Sequence, residues 1–199
     1  MEYPLNEKIT NEQMNKLILE SQWRMNSLKI TIPYSYLSNH ISLNWYDILF
    51  AIENGFLPHQ SANDYAVNDL LQDGNSSQSV LELVYLSPNK LRFPHSIHPY
   101  IDELADQVSE LEKGKTKEKM LYILLQYLYD NRDKYEDPLT AVTIIYDDFG
   151  FPDSITSFVL YMPMKGPDLG SIELNRERMM TSWKNFLGEQ SEKYKNLEL

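Results

Sequence analysis

Cysteine is absent from this chain, which excludes disulfides, thiol nucleophiles and cysteine-ligated zinc. Its absence fits a reducing compartment. Glycine is scarce, seven in 199 residues, so long flexible linkers are not expected. No run approaches the roughly 18 apolar residues that a membrane-crossing helix needs. The opening residues Met1, Glu2, Tyr3, Pro4 and Leu5 carry no apolar signal-peptide core. The expected location is cytoplasmic, with no membrane partner.

The most informative absence is local. Residues 30–89 contain Asp47, Glu53, Asp64, Asp69, Asp73 and Glu82 and no lysine or arginine, a charge of −6. Residues 135–164 contain Glu136, Asp137, Asp147, Asp148 and Asp153, again with no basic residue, a charge of −5. All other segments balance, so these two hold the entire net charge of −11. Local charge of one sign makes a field that attracts cations and repels anions. Nucleic acid is excluded as an expected ligand, because phosphate binding needs clustered Lys and Arg. The basic cluster Lys113, Lys115, Lys117 and Lys119 is flanked by Glu110, Glu112 and Glu118 and reads as a solvated joint between helices.

What is present points to an all-α fold. Low glycine with abundant Leu, Met, Glu and Lys favours helix, and a hydrophobic share of 42% supports a sizeable core. Eight or nine helices are expected, packed as hairpins in a bundle or an irregular solenoid. One domain over 1–199 is expected, with an N-terminal helix 10–27, an acidic subassembly 41–87 and C-terminal helices 98–190. Thr10 and Gln13 have the form of a capping box. Ser42 reads as the cap of a helix over 43–54 that closes at Gly55. Helices follow over 62–72, ended by Asp73-Gly74, and over 78–86. Pro99 suits the first turn of a helix whose stripe is Ile101, Leu104, Val108 and Leu111. Further helices are expected over 116–133, from Asp137-Pro138 to Gly150, over 152–161 and over 172–190. Residues 165–170 read as a loop, and the tail 193–199 as frayed. Residues 29–33 are the one strand signal.

The candidate chemistry is thin. Asp147, Asp148 and Asp153 are the densest carboxylates near aromatics, and paired carboxylates serve acid–base work or divalent cations. Their local reading is a helix end turned to water and, for Asp153, the charged start of a helix. Phe149-Gly150-Phe151-Pro152 reads as a tight turn between helices with positive φ at Gly150. His95 and His98 have loose metal spacing but lack the third ligand that zinc requires. No nucleophile elbow, phosphate loop or dinucleotide fingerprint occurs. Trp45 is expected in the core, and Tyr34 and Tyr36 exposed in a loop after Pro33.

Two pieces carry a resemblance. The first is Leu43-Asn44-Trp45-Tyr46-Asp47-Ile48-Leu49, continued by Glu53-Asn54-Gly55-Phe56-Leu57 and Asp64-Tyr65-Ala66. The second is Ile145-Tyr146-Asp147-Asp148-Phe149-Gly150-Phe151-Pro152, continued by Phe158, Tyr161, Met162 and Pro163. In order and spacing they resemble a bacterial domain-of-unknown-function family, number 2247, over about residues 41–165. The resemblance implies no activity and carries over no catalytic residue. Families of this kind are often encoded beside bacterial toxins and act as immunity proteins.

The expected function is therefore stoichiometric binding rather than catalysis, by an immunity protein that neutralises a basic toxin through an acidic, aromatic-rich face. Folding is expected to gather both acidic segments into that face. The expected contact set is Asp47, Glu53, Asp64, Asp147, Asp148 and Asp153 with Tyr46 and Tyr146. No cofactor or metal is expected. Two alternatives remain open: an enzyme using the same carboxylates, metal-dependent or not, and a helical scaffold that binds a peptide or helix in a groove.

Overall fold

The computed structural model describes residues 8–22, 25–73, 77–163 and 166–195. The fold is all-α. In chain order the helices are α1 Asn11–Glu20, α2 Tyr34–His40, α3 Trp45–Glu53, α4 Ser61–Asp73, α5 Gln78–Tyr85, α6 Pro94–Asp106, α7 Glu110–Lys113, α8 Thr116–Asp130, α9 Pro138–Asp148 and α10 Ile172–Lys195. Three 3₁₀ turns, Lys90–Arg92, Arg132–Lys134 and Asp153–Phe158, interrupt the series. Among the described residues the extended pairing is one isolated parallel bridge, Ile9 to Tyr135. Residues 29–33 join no strand; there the Ile32 N–H donates to the Phe56 carbonyl at 2.8 Å.

The chain gathers into two compact units where one domain is expected from the sequence. One unit is continuous, Ile30–Met120; the other is discontinuous, Met1–Lys29 with Leu121–Leu199. In the continuous unit α4 packs on α5 and on α3, and α6 packs on α5 and α3. Its core includes Ile32, Leu37, Trp45, Ile48, Phe56, Leu83, Ile97 and Ile101. In the discontinuous unit α9 and α10 pack against the turn Asp153–Phe158. Buried there are Met14, Leu139, Val142, Ile145, Phe158 and the α10 stripe of Met179, Trp183, Leu187 and Tyr194. That stripe follows the three-to-four-residue spacing of a helix with one apolar face.

Local chemistry explains most boundaries. Thr10 forms the expected capping box with Gln13. Helix α1 nevertheless stops at Glu20 rather than near residue 27; Trp23 and Arg24 lie outside the described residues. Asn44, not Ser42, caps α3, in a reciprocal box with Asp47. Asp137 caps α9 with Pro138 in the first turn, as expected. Helix α6 begins at Pro94 and holds Pro99 inside it, so it forgoes one helical hydrogen bond. It also ends earlier than the apolar spacing predicts. Ser109 accepts from the Glu112 N–H at 3.4 Å and starts α7 as a separate short helix, which leaves Leu111 73% exposed.

Two further expectations are corrected. Tyr34 and Tyr36 lie in helix α2 and are half-buried. The Tyr34 hydroxyl accepts from Asn68 at 2.8 Å, and the Tyr36 ring stacks on His40 at 4.2 Å. Residues 152–161 form a 3₁₀ turn over Asp153–Phe158 in place of an α-helix. Ser, Ile, Thr and Val there are stiff or locally hydrogen-bonding side chains that disfavour a long helix, and the Leu160 N–H is taken by the Thr143 hydroxyl at 3.3 Å. Of the expected punctuation, Gly74 and Lys165 lie outside the described residues, as do 196–199 of the expected frayed tail. Residues 193–195 continue α10.

Candidate functional site

The two acidic segments fall in different units, and each is taken by itself. In the continuous unit Asp47 sits at the third position of α3. Its carboxylate accepts from the Asn44 N–H at 3.0 Å, from the Thr116 hydroxyl at 2.5 Å and from the Lys119 ammonium at 2.7 Å. Lys119 also donates to the Ser42 carbonyl at 3.2 Å. Asp47 is 0% exposed and Lys119 5%. Asp47 is thus enclosed, a correction to its expected place in a contact set. Burial of a carboxylate requires a counter-charge and donors, and α8 brings both.

The same lysine cluster is largely consumed elsewhere. Lys113 pairs with Glu110 at 2.9 Å and lies over the half-buried Tyr46 ring at 5.6 Å. Lys115 pairs with Glu112 at 2.6 Å. Glu53 is exposed and Asp64 half-buried on α4. Tyr65 donates to the Leu43 carbonyl at 2.8 Å and meets the buried Trp45 edge-on at 4.6 Å.

In the discontinuous unit the acids divide into held and open ones. Asp137 caps α9, accepts from Leu139 N–H at 3.1 Å and Thr140 hydroxyl at 3.0 Å, and pairs with Arg176. Glu136 accepts from the Asn11 N–H at 3.1 Å. Asp148 is half-buried and accepts from the Ser27 N–H at 2.8 Å and the Ser27 hydroxyl at 2.6 Å. Asp147 and Asp153 are exposed. Among the described residues no lysine or arginine forms an ion pair with either.

Burial raises the Asp148 pKa, the two bonds from Ser27 oppose it, and the adjacent Asp147 charge adds to it. A carboxyl raised on folding binds its proton more tightly in the native state. Its stabilising contribution is present below the unfolded value of 3.8 and is lost as pH rises through the higher folded value. Asp148→Asn is therefore expected to gain stability relative to the parent as pH rises through that window. Urea melts from pH 3 to pH 7 check this; a constant difference would show that Asp148 is not the titrating group.

Around Asp147 stands an aromatic ledge. Tyr161 donates to Asp147 Oδ1 at 2.6 Å. Its hydroxyl pKa is pushed up to about 12 by lost hydration and by that carboxylate. Tyr146 is buried, its hydroxyl 3.7 Å from Met162 Sδ. Phe151 and Tyr161 meet the Tyr146 ring edge-on, at 5.4 and 5.9 Å. Phe151 is 59% exposed and Tyr161 55%.

The turn that presents Phe151 is strained. Gly150 takes φ of 76°, as expected, and Phe151 follows with φ of 63°. A bulky non-glycine residue in that region costs on the order of 1–3 kcal/mol. The Phe151 N–H is satisfied by the Tyr146 carbonyl at 3.0 Å. Composition and spacing pointed to this turn, but nothing in the sequence marks its second residue as left-handed.

The histidines do not converge on a metal site. His98 Nδ1 lies 3.1 Å from Asp102 Oδ1, and the His95 ring stacks on Phe93 at 5.5 Å. Among the described residues no three His, Asp or Glu side chains gather in metal-binding geometry. No described helix is long and apolar enough to cross a membrane.

The fold and these surfaces define an all-α protein that carries exposed acidic and aromatic residues around the end of α9. The chain belongs to a family of uncharacterized proteins conserved in bacteria, DUF2247, whose model matches residues 34–191. That span includes both segments that carried the resemblance. No curated protein and no solved structure matches the chain.

Proposed function

We propose that this protein is a stoichiometric binding module for a basic protein, and that the partner is a cationic bacterial toxin that it neutralises as an immunity protein. The observation that carries the reading is the ledge of the discontinuous unit. Exposed Tyr161 donates to exposed Asp147, exposed Phe151 packs on the same buried Tyr146 as Tyr161, and exposed Asp153 lies two residues beyond Phe151. Asp147 and Asp153 lack a described cationic partner, while Asp47 and Asp137 have one. Asp147 also lies in the last turn of α9, where the helix dipole disfavours an anion. An exposed aromatic pair held at such local cost is the composition of a protein contact.

The proposed contact set is thereby narrowed. Asp147, Asp153, Phe151 and Tyr161 form it in this unit, with Tyr146 beneath them. Asp148 is spent on Ser27 and Asp47 on Lys119. Glu53 and Asp64 belong to the other unit and carry no part of the argument.

Asp147→Lys with Asp153→Lys tests it, since both side chains are exposed and their reversal leaves the core intact. The parent chain is expected to form a one-to-one complex with the cationic protein encoded beside it, at a rate that falls with salt. The double reversal is expected to slow association about tenfold or more at low ionic strength. Equal rates and equal salt dependence for the two chains would refute the reading, as would a neighbouring gene encoding no cationic protein.

A further inference from the structure

We infer that the ledge formed by Phe151, Tyr161 and Asp147 is a seat for an arginine side chain of the partner, in preference to lysine. The inference rests on the reading of a basic partner and names the group that the ledge selects. Its basis is the combination of two rings that are more than half exposed with one half-used carboxylate.

Phe151 and Tyr161 both lean on the buried Tyr146, edge-on to it, at 5.4 and 5.9 Å. Tyr146 therefore fixes both rings while more than half of each stays in solvent. Asp147 Oδ1 receives the Tyr161 hydroxyl at 2.6 Å, and no described group donates to Oδ2. The carboxylate is thus oriented by the tyrosine and keeps an oxygen for an incoming donor.

A cation beside an aromatic face is drawn to its negative centre. A guanidinium adds a planar stacking surface, weak hydration and a fork of N–H donors that suits a carboxylate. An ammonium is a compact, strongly hydrated charge and gains less on a flat ring. Charge complementarity completes the case, because residues 135–164 contain no lysine or arginine to occupy the ledge from within that stretch.

The backbone gives the means of testing it. Phe151 holds φ of 63°, a conformation that glycine adopts freely. Phe151→Gly therefore removes the ring while keeping the turn. Nona-arginine and nona-lysine peptides serve as probes, titrated into the parent chain, Phe151→Gly and Asp147→Asn at low ionic strength. The parent is expected to bind the arginine peptide about three- to tenfold more tightly than the lysine peptide. Phe151→Gly is expected to weaken the arginine peptide more than the lysine peptide and so bring the two affinities together. Asp147→Asn is expected to weaken both and the arginine peptide more.

Equal affinities in the parent, or an arginine preference that survives Phe151→Gly, would overturn the arginine seat. If both peptides still bind with strong salt dependence in that case, the basic-partner reading stands without it. If neither peptide binds the parent at low salt, both readings fall.

Discussion

Replacing Lys119 with methionine is expected to destabilise the protein by about 3–5 kcal/mol, because it leaves a buried carboxylate without its counter-charge. Asp47 is 0% exposed and its Oδ2 is 2.7 Å from the Lys119 ammonium. Methionine matches the lysine stem in bulk, so packing changes little and the loss is electrostatic. Against a typical total of 5–15 kcal/mol, such a loss removes a large share of the stability.

The companion change distinguishes the cause. Asp47→Asn in the Lys119→Met background removes the stranded charge; its amide oxygen can still accept from the Asn44 N–H, and its NH2 can donate to the Thr116 hydroxyl oxygen in place of the bond that the carboxylate accepts there. It is expected to restore at least half of the loss. Urea denaturation of the two variants and the parent measures both effects. A Lys119→Met chain within about 1 kcal/mol of the parent would show that water reaches Asp47 and that the pair is not buried as described.

The same pair shows where sequence reasoning ends. A segment without lysine or arginine suggests an open anionic field, and residues 30–89 are such a segment. Yet its Asp47 is neutralised by a lysine 72 positions later in the chain. Charge bookkeeping along the sequence sees composition, whereas screening is set by what folding brings within a few ångströms. Asp137 meets Arg176 in the same way, 39 positions away.

Local rules read well where the deciding interactions are local. The Thr10 box, the Asp137-Pro138 start and the turn at Gly150 each depend on neighbours within about four residues. They read poorly where tertiary packing wins. Residues Met120 to Leu125 are all buried, although the helical spacing predicts Met120, Leu124, Tyr127 and Leu128 inward. In the sequence helix α2 reads as a loop, because Pro33 precedes it and no polar cap announces it; indeed Pro33 makes no side-chain cap. The ledge was legible in part. The aromatic and acidic residues of 145–163 stand out in the sequence, but exposure of Phe151 against burial of Tyr146 follows from a backbone twist that no pattern encodes.

Trp183→Ala carries the other large expected effect, about 3–5 kcal/mol, by opening a cavity in the core of the discontinuous unit. Trp183 is 0% exposed. Its ring meets Tyr129 edge-on at 5.0 Å and lies nearly parallel to Phe158 at 6.2 Å. Phe158 ends the 3₁₀ turn that starts at Asp153, so the cavity lies beneath the segment that follows Phe151. Faster amide exchange over residues 155–159 is expected to accompany the lower unfolding midpoint. Trp183→Phe separates volume from polarity. The indole Nε1 has no hydrogen-bond partner among the described residues, and an unmet buried donor is itself a cost. Phenylalanine keeps an aromatic surface for Tyr129 and Phe158 and discards that donor, so it is expected to lose less than half of what alanine loses. Equal losses for the two variants would mean that the indole N–H is satisfied in solution and that its contact, rather than the ring's bulk, holds the turn in place.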